Sequence, residues 1–235
     1  IRPGGKLAAL IGDGGIAEKI CDDFRVVWQP GTVDESTIPI KDVVVRPFPC
    51  GDWLVHWTRA CHGPWPGERA RDFFEDMLAR PGIYVRSAFE TLARITRERV
   101  VRGSEWRISG ANRAVSLTSL GAMEFLPLMR WRKRYVRYSF EPCGVAFRRD
   151  AVVAVGGKPV NYIAVGGNDH STGELFIQPE GARGDWAKEC EWRFPDDMRF
   201  DAFSRDDVLL VVPDERAARK MYDRTGGCFP VHFLS

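Results

Sequence analysis

The sequence predicts a mixed α+β fold for this chain of 235 residues. Apolar residues recur at helical spacing over residues 69–79, 88–97 and 214–224. Short runs typical of strands, such as W-L-V-H-W at 53–57 and V-L-L-V-V at 208–212, lie between and after these segments. Because the strands gather late in the chain and do not alternate with helices, the pattern favours α+β over a doubly wound parallel sheet.

The remaining elements follow from short apolar runs bounded by Gly and Pro. Residues 121–135 are predicted to be partly helical, and 150–155 form either a short helix or a strand. The predicted strands cover residues 43–45, 53–57, 100–101, 114–117, 145–147, 159–165, 186–194, 207–212 and 231–234. Prolines at 47 and 49 place a boundary near residue 46, which gives two predicted units. Residues 1–46 read as a strand–turn–helix–strand segment, and 47–235 as the larger α+β domain.

Composition narrows the function classes. The net charge of +2 gives no global case for nucleic-acid binding, so such a case has to rest on a local patch. No apolar stretch approaches the ~20 residues that cross a bilayer, and no signal peptide is recognisable, so we expect a cytoplasmic protein without membrane contact. The six scattered cysteines are expected to be reduced thiols. Cys50, His56, Cys61 and His62 fit no standard zinc finger, and no metal site is predicted.

Three predicted strands or strand ends carry pairs of polar residues that a plain core strand would not have. These pairs are His56 with Thr58, Ser116 with Thr118, and Glu189 with Glu191. Residues two apart on a strand share a face, so each pair is expected to point one way. Two carboxylates held together raise the pKa of one of them, which suits acid–base chemistry. Each pair also has a plain interpretation: a core histidine, ordinary strand residues, and an exposed face on which Lys188 and Arg193 pair with the glutamates.

The order of these motifs resembles that of the ADP-ribosyltransferase superfamily. The matching pieces are H-W-T-R at 56–59, S-L-T-S at 116–119 and E-C-E-W-R at 189–193. The chain also resembles a bacterial family associated with phage resistance, through F-E-P-C-G-V-A-F at 140–147, G-G-K-P-V-N-Y at 156–162 and W-A-K-E-C-E-W-R at 186–193. The middle motif departs from the superfamily's S-T-S.

The resemblance implies a fold and a reaction. The implied fold has split antiparallel β-sheets with flanking helices, which grip NAD in a central cleft. NAD is then a substrate, and the activity is mono-ADP-ribosyl transfer or NAD hydrolysis in a toxin or phage-defence context. The acceptor is a protein, a nucleic acid or water.

The same resemblance assigns roles to individual residues. Glu191 would bind a ribose hydroxyl and stabilise the developing positive charge, and Glu189 would orient or activate the acceptor. His56 is counted as catalytic together with both glutamates. Either His56 or Arg59 would hold the ribose or a phosphate. The implied cofactor-binding residues are His56, Thr58, Arg59, Ser116, Thr118 and Tyr138. Trp57, Tyr135 and Tyr138 are the candidates for stacking on nicotinamide.

Residues 130–138 alternate basic and aromatic side chains, from Arg130 to Tyr138. Basic groups can follow phosphates and aromatic rings can stack on bases, as in proteins that bind nucleic acid. Alternatively, Trp131, Tyr135 and Tyr138 lie in the core and only the basic groups are exposed. Two other functions therefore stay open. One is a nucleic-acid-binding or metal-dependent nuclease-type defence protein, in which Glu189 and Glu191 hold the metal. The other is a non-enzymatic partner or antitoxin module.

Overall fold

The computed structural model describes residues 52–80, 85–105, 108, 112–133, 137–163, 175–179 and 186–234. The predicted unit 1–46, the strand 43–45, Cys50 and Tyr135 lie outside these ranges. The described fold is mixed α+β with a mostly antiparallel sheet, as the sequence predicts.

Five α-helices lie in the described ranges, and three of them match the predicted helices within one residue at each end. They are α1 (Ala70–Ala79), α2 (Ala88–Glu98), α3 (Ala122–Phe125), α4 (Arg149–Ala154) and α5 (Glu215–Thr225). Their ends follow local chemistry: Ser87 and Asp214 accept backbone N–H groups at the starts of α2 and α5, and Gly226 ends α5 in the left-handed region. No helix in the described ranges has the length and apolarity to cross a membrane.

Thirteen strands are described, seven of which form one sheet. They are β1 (Trp53–Trp57), β2 (Val100–Val101), β3 (Ala114–Thr118), β4 (Trp131–Arg132), β5 (Arg137–Tyr138), β6 (Gly144–Arg148), β7 (Lys158–Pro159), β8 (Asn161–Ile163), β9 (Ile177–Pro179), β10 (Glu191–Pro195), β11 (Met198–Arg199), β12 (Val208–Val212) and β13 (Val231–Phe233). The large sheet has the order β13-β12-β6-β1-β3-β10-β7. Its pairs are antiparallel except β12 with β13.

The two faces of this sheet are covered differently. One face packs against helices α2, α4 and α5, through buried residues such as Leu92, Val152 and Met221. The other face carries Trp53, Val55 and Trp57, which pack with Phe125 of α3. We call these the helix face and the tryptophan face. Alternation along β1 assigns Leu54 to the first and Val55 to the second.

The strand predicted over 186–194 is wrong in its first half. Trp186–Glu189 is a 3₁₀-helix, and β10 begins only at Glu191. Between them Cys190 has a φ of 44°, in the left-handed region that breaks strand geometry. Glu189 and Glu191 therefore do not share one strand face, because the alternation that would align them begins after Cys190.

Candidate functional site

The three strands that carry the predicted motifs are neighbours in the large sheet. Strand β3 lies between β1 and β10, although the three are far apart along the chain. Thr118 is directly opposite both Val55 and Glu191, and Ser116 is opposite Arg193. Directly opposed residues share a face. Ser116, Thr118 and Glu191 therefore lie together on the tryptophan face, and the predicted common direction of Ser116 and Thr118 is confirmed.

Glu191 is the centre of a hydrogen-bond network on this face. Its Oε1 accepts from Ser116 Oγ at 2.8 Å and from Arg193 Nε at 3.0 Å. Its Oε2 accepts from Tyr162 Oη at 2.6 Å and from Arg193 Nη2 at 3.3 Å. A carboxylate offers about four acceptor positions, and these four donors use them. The side chain is only 14% exposed, so its orientation is fixed from several sides.

Arg193 holds this carboxylate by hydrogen bonds to both of its oxygens. Its guanidinium is buried and also donates to the Leu175 carbonyl at 2.8 Å and to Gln178 Oε1 at 2.9 Å. Buried charges are tolerated when they are paired and hydrogen-bonded, and Arg193 is paired with Glu191 and makes four hydrogen bonds. The position of Arg193 follows from alternation, because it lies two residues after Glu191 on β10.

Tyr162 approaches Glu191 from a second, smaller sheet. The chain leaves the large sheet after Pro159, and Val160 still donates to the Glu191 carbonyl at 2.9 Å. It then enters β8, which pairs with β9 and brings Tyr162 beside Gln178. Burial raises the pKa of the Tyr162 phenol, and its bond to Glu191 raises it further. The phenol therefore stays protonated and donates its hydrogen to the carboxylate.

The network reaches solvent at Ser116. The other four residues of β3 are buried, and Ser116 alone in that strand is exposed. An exposed residue in the middle of an interior strand means that the tryptophan face is uncovered at this point. A ligand can therefore reach Ser116 Oγ, which is bonded to Glu191.

Thr118 and Glu189 hold the turn in front of β10. Thr118 Oγ1 donates to the Glu189 carbonyl at 2.6 Å and accepts from the Leu120 N–H at 3.1 Å. Ser119 N–H donates to the Cys190 carbonyl at 3.2 Å. Thr118 thus contacts the backbone of Glu189, and not the Glu191 carboxylate. The half-buried Glu189 side chain belongs to the 3₁₀-helix.

His56 is adjacent to the site but belongs to the other face. It is opposite Val145 and alternates with Leu54, so it lies on the helix face. Its Nδ1 is 2.9 Å from the Ser116 carbonyl oxygen, and it must carry the hydrogen there because a carbonyl only accepts. Burial lowers the pKa of His56. The bond to Ser116 raises this pKa and so opposes the shift, whereas the positive charge of Arg59 lowers it further. The structure thus joins His56 to the backbone of Ser116, and not to the Glu191 carboxylate.

The other residues predicted to bind the cofactor lie in different settings. Thr58 is buried, and its hydroxyl lies 2.9 Å from the Ala88 carbonyl and 2.8 Å from the Cys143 carbonyl. Its hydroxyl is thus used to fasten the end of β1 to its neighbours. Arg59 is partly buried and close enough to His56 to affect its pKa.

Tyr138 belongs to a separate two-stranded sheet, the hairpin of β4 and β5, where it pairs with Trp131. Both rings are exposed, Trp131 by 50% and Tyr138 by 38%. The interpretation that places these two rings in the core is therefore wrong.

Tyr162 and Gln178 are the site residues that the sequence patterns missed. Tyr162 ends the motif G-G-K-P-V-N-Y, but the motif alone gave no chemical reason to pair it with a glutamate. Arg193 was expected only as a surface partner of the glutamates, and it is buried. Inside the described ranges, no three His, Cys, Asp or Glu side chains are grouped as ligands for a metal ion.

Fold and site together define a mixed α+β protein with a Ser–Glu–Arg–Tyr network at an opening on one sheet face. No protein-family model, no curated protein and no solved structure matches this chain.

Proposed function

We propose that this chain cleaves the nicotinamide–ribose bond of NAD, as a mono-ADP-ribosyltransferase or an NAD glycohydrolase in a toxin or phage-defence context. The observation that carries the proposal is the adjacency of the three motif strands, with the Glu191 carboxylate bonded to the exposed Ser116. The neighbouring strands β1, β3 and β10 carry the His, Ser and Glu motifs in this order, which supports the resemblance to the ADP-ribosyltransferase superfamily.

The reaction needs a fixed negative charge beside the ribose. Nicotinamide leaves with the electron pair of the glycosidic bond, and positive charge develops on the ribose as an oxocarbenium-like centre. Water or an acceptor hydroxyl then bonds to the anomeric carbon and gives up its proton to solvent water. A preorganised carboxylate favours this developing charge without having to reorient. Glu191 is such a group, because Arg193 and Tyr162 hold both of its oxygens in place.

Substrate contact at Glu191 requires one of its four donors to give way. Arg193 is buried and bonded to two further acceptors, and the Tyr162 phenol is half-buried. Ser116 is exposed, and its hydroxyl can rotate at little cost. A ribose hydroxyl therefore takes the position of Ser116 Oγ on Oε1, while Ser116 turns to the substrate.

The remaining residues take supporting roles in this proposal. His56 and Thr58 are positioning residues, since the first bonds the Ser116 carbonyl and the second bonds backbone carbonyls. Arg59 is the cation that contacts a phosphate of NAD. Glu189 orients an acceptor at the mouth of the site, separately from the Glu191 carboxylate.

Nicotinamide release from NAD, followed by chromatography, tests the proposal. We expect release by the wild-type protein and a loss of at least about a hundredfold in Glu191→Gln, in line with the removal of one preorganised charge-stabilising group. Glu189→Gln is the matched control, because it makes the same chemical change two residues away. It should keep nicotinamide release and lose transfer of label from adenine-labelled NAD to an acceptor.

Two results would overturn the proposal. One is the absence of nicotinamide release by the folded wild-type protein, with and without acceptor protein or RNA. The other is release that persists in Glu191→Gln. Circular dichroism checks that each variant is folded, and Ser116→Ala gives a second variant at the site whose small change leaves the Arg193 and Tyr162 bonds intact.

A further inference from the structure

The hairpin formed by β4 and β5 carries an unusual surface. Arg130, Arg132 and Lys133 are exposed, and so are the rings of Trp131 and Tyr138. Large aromatic side chains normally bury most of their area, so two exposed rings side by side on a two-stranded hairpin need a physical reason.

All charged residues in and around the hairpin sequence are basic. Residues 126–140 contain five basic residues and no Asp or Glu. Within the described ranges, no carboxylate pairs with Arg130, Arg132 or Lys133; the Arg130 guanidinium bonds only the Pro127 carbonyl, at 3.3 Å. Several other exposed arginines in the described ranges pair with a carboxylate, as Arg71 does with Glu75 and Arg199 with Asp201. These three described cations are thus available for an external anion.

The aromatic pair is held in place with its surfaces available. Trp131 and Tyr138 are opposite each other in the hairpin, with ring centroids 5.2 Å apart and planes at 72°. An edge-to-face contact leaves broad ring faces uncovered. Ser139 fixes the base of the hairpin, since its Oγ accepts from Arg130 N–H at 3.0 Å and donates to the Leu128 carbonyl at 2.8 Å. The rings are therefore presented on a supported element.

We propose that this hairpin binds single-stranded nucleic acid, with Trp131 and Tyr138 stacking on bases and Arg130, Arg132 and Lys133 contacting phosphates. Cations interleaved with exposed rings fit a flexible polyanion whose bases are unstacked. A duplex hides the faces of its bases, so exposed rings favour a single strand. The inference does not rest on the proposed NAD chemistry, because it needs none of the residues around Glu191.

Fluorescence anisotropy with labelled 12-nucleotide single-stranded DNA and RNA tests this inference, without NAD. The double variant Trp131→Ala/Tyr138→Ala should weaken binding by at least about fivefold for each ring that stacks. Arg132→Glu/Lys133→Glu should also weaken it, and should reduce the slope of log affinity against log salt by roughly 1.4 if two phosphate contacts are lost. Tryptophan fluorescence of the wild type should fall as the oligonucleotide is added.

Matched controls separate this surface from general effects. Phe74→Ala removes another exposed aromatic ring, on α1, and Arg71→Glu/Arg199→Glu makes the same change in net charge on other exposed arginines. Both should bind like the wild type. Nicotinamide release, where measured, should be unchanged in Arg132→Glu/Lys133→Glu, which keeps the two proposals separate.

Several outcomes would overturn the inference. They are equal affinity for a duplex of the same sequence, unchanged binding in the ring variant, and equal losses in the controls. Binding to phosphatidylserine vesicles that depends on the hairpin, with no binding to the oligonucleotides, would assign the surface to membranes instead. A melting curve by circular dichroism identifies any variant that is unfolded, and Trp131→Tyr then replaces Trp131→Ala as a milder test that should bind better than Ala.

Discussion

At the scale of single residues, Arg193 is the buried cation that pairs with the Glu191 carboxylate. Its side chain is buried and donates hydrogen bonds to both oxygens of Glu191. Removing one partner of a buried ion pair leaves an uncompensated charge, which costs more than the pair itself contributes. The bonds to Leu175 and Gln178 would be lost at the same time.

We therefore expect Arg193→Met to lower the free energy of unfolding by about 3–5 kcal/mol. Glu191→Gln should also destabilise the protein, because the buried Arg193 keeps a hydrogen-bond acceptor but loses its counter-charge. Urea denaturation at pH 7 measures both. Arg199→Met is the control: its side chain is 70% exposed, so its loss should change stability by less than about 0.5 kcal/mol. A loss in Arg193→Met no greater than in Arg199→Met would contradict the prediction.

Much of this residue-scale chemistry was readable from the sequence, and some was not. The period of two along a strand was enough to align Ser116 with Thr118. It failed for Glu189 and Glu191, since the pattern E-C-E contains no sign that Cys190 adopts a positive φ. The contact between Tyr162 and Glu191 could not be predicted either, because it depends on the chain passing from the large sheet into a second sheet.

At the scale of elements, the junction between the 3₁₀-helix and β10 sets the direction of the glutamate motif. Cys190 has a φ of 44°, and its N–H donates to the Ala187 carbonyl at 3.2 Å. The carbonyls of Glu189 and Cys190 are bonded by Thr118 and Ser119 of the neighbouring segment. This bend is thus fixed from two sides, and β10 starts where it ends.

The bend gives a prediction about substitution at Cys190. A β-branched residue is strained at positive φ, so Cys190→Val should destabilise the protein by roughly 1–2 kcal/mol. Cys190→Gly should change stability by less than about 1 kcal/mol, since relief of strain and greater freedom of the unfolded chain oppose each other. Thermal and urea denaturation compare the two variants. Equal stability of the Val and Gly variants would show that the bend is not strained.

Prediction of whole elements was most successful where the periodicity was long. Helices α1, α2 and α5 were predicted within one residue at each end, because their apolar stripes and end residues agree. The hairpin of β4 and β5 was not predicted. Its alternation of basic and aromatic residues is compatible with buried rings as well as with exposed rings. Only the structure shows that Trp131 and Tyr138 are exposed.

At the scale of the whole molecule, the large sheet separates a helix-covered core from a partly open face. Its strand order β1-β3-β10 brings together motifs that are more than fifty residues apart. The sequence could indicate that these strands carry polar residues, but not that they pair, since pairing depends on long-range register. Nor could it place His56 and Glu191 on opposite faces, because that follows from the register of β1 with β6 and of β3 with β10.

His56 links the two sides of this sheet, and its titration should therefore affect the stability of the whole protein. Its Nδ1 lies on the helix face and bonds the carbonyl of Ser116, whose side chain is bonded to Glu191 on the other face. Burial is the main reason that the pKa of His56 is lowered, so the folded protein favours the neutral ring. Between its folded pKa and about 6.5, the unfolded chain binds more protons than the folded protein does.

The sign of the effect follows directly. The contribution of His56 to stability is present above about pH 6.5 and is lost as the pH falls through its lowered folded pKa. Wild-type stability should therefore decrease between pH 7 and pH 5 by more than that of His56→Asn, whose side-chain amide can still donate to Ser116 but does not titrate. Urea denaturation across this range measures the difference between the two curves. Parallel curves would show that His56 titrates alike in the folded and unfolded chains. The titration of His56 would then not affect the stability of the protein.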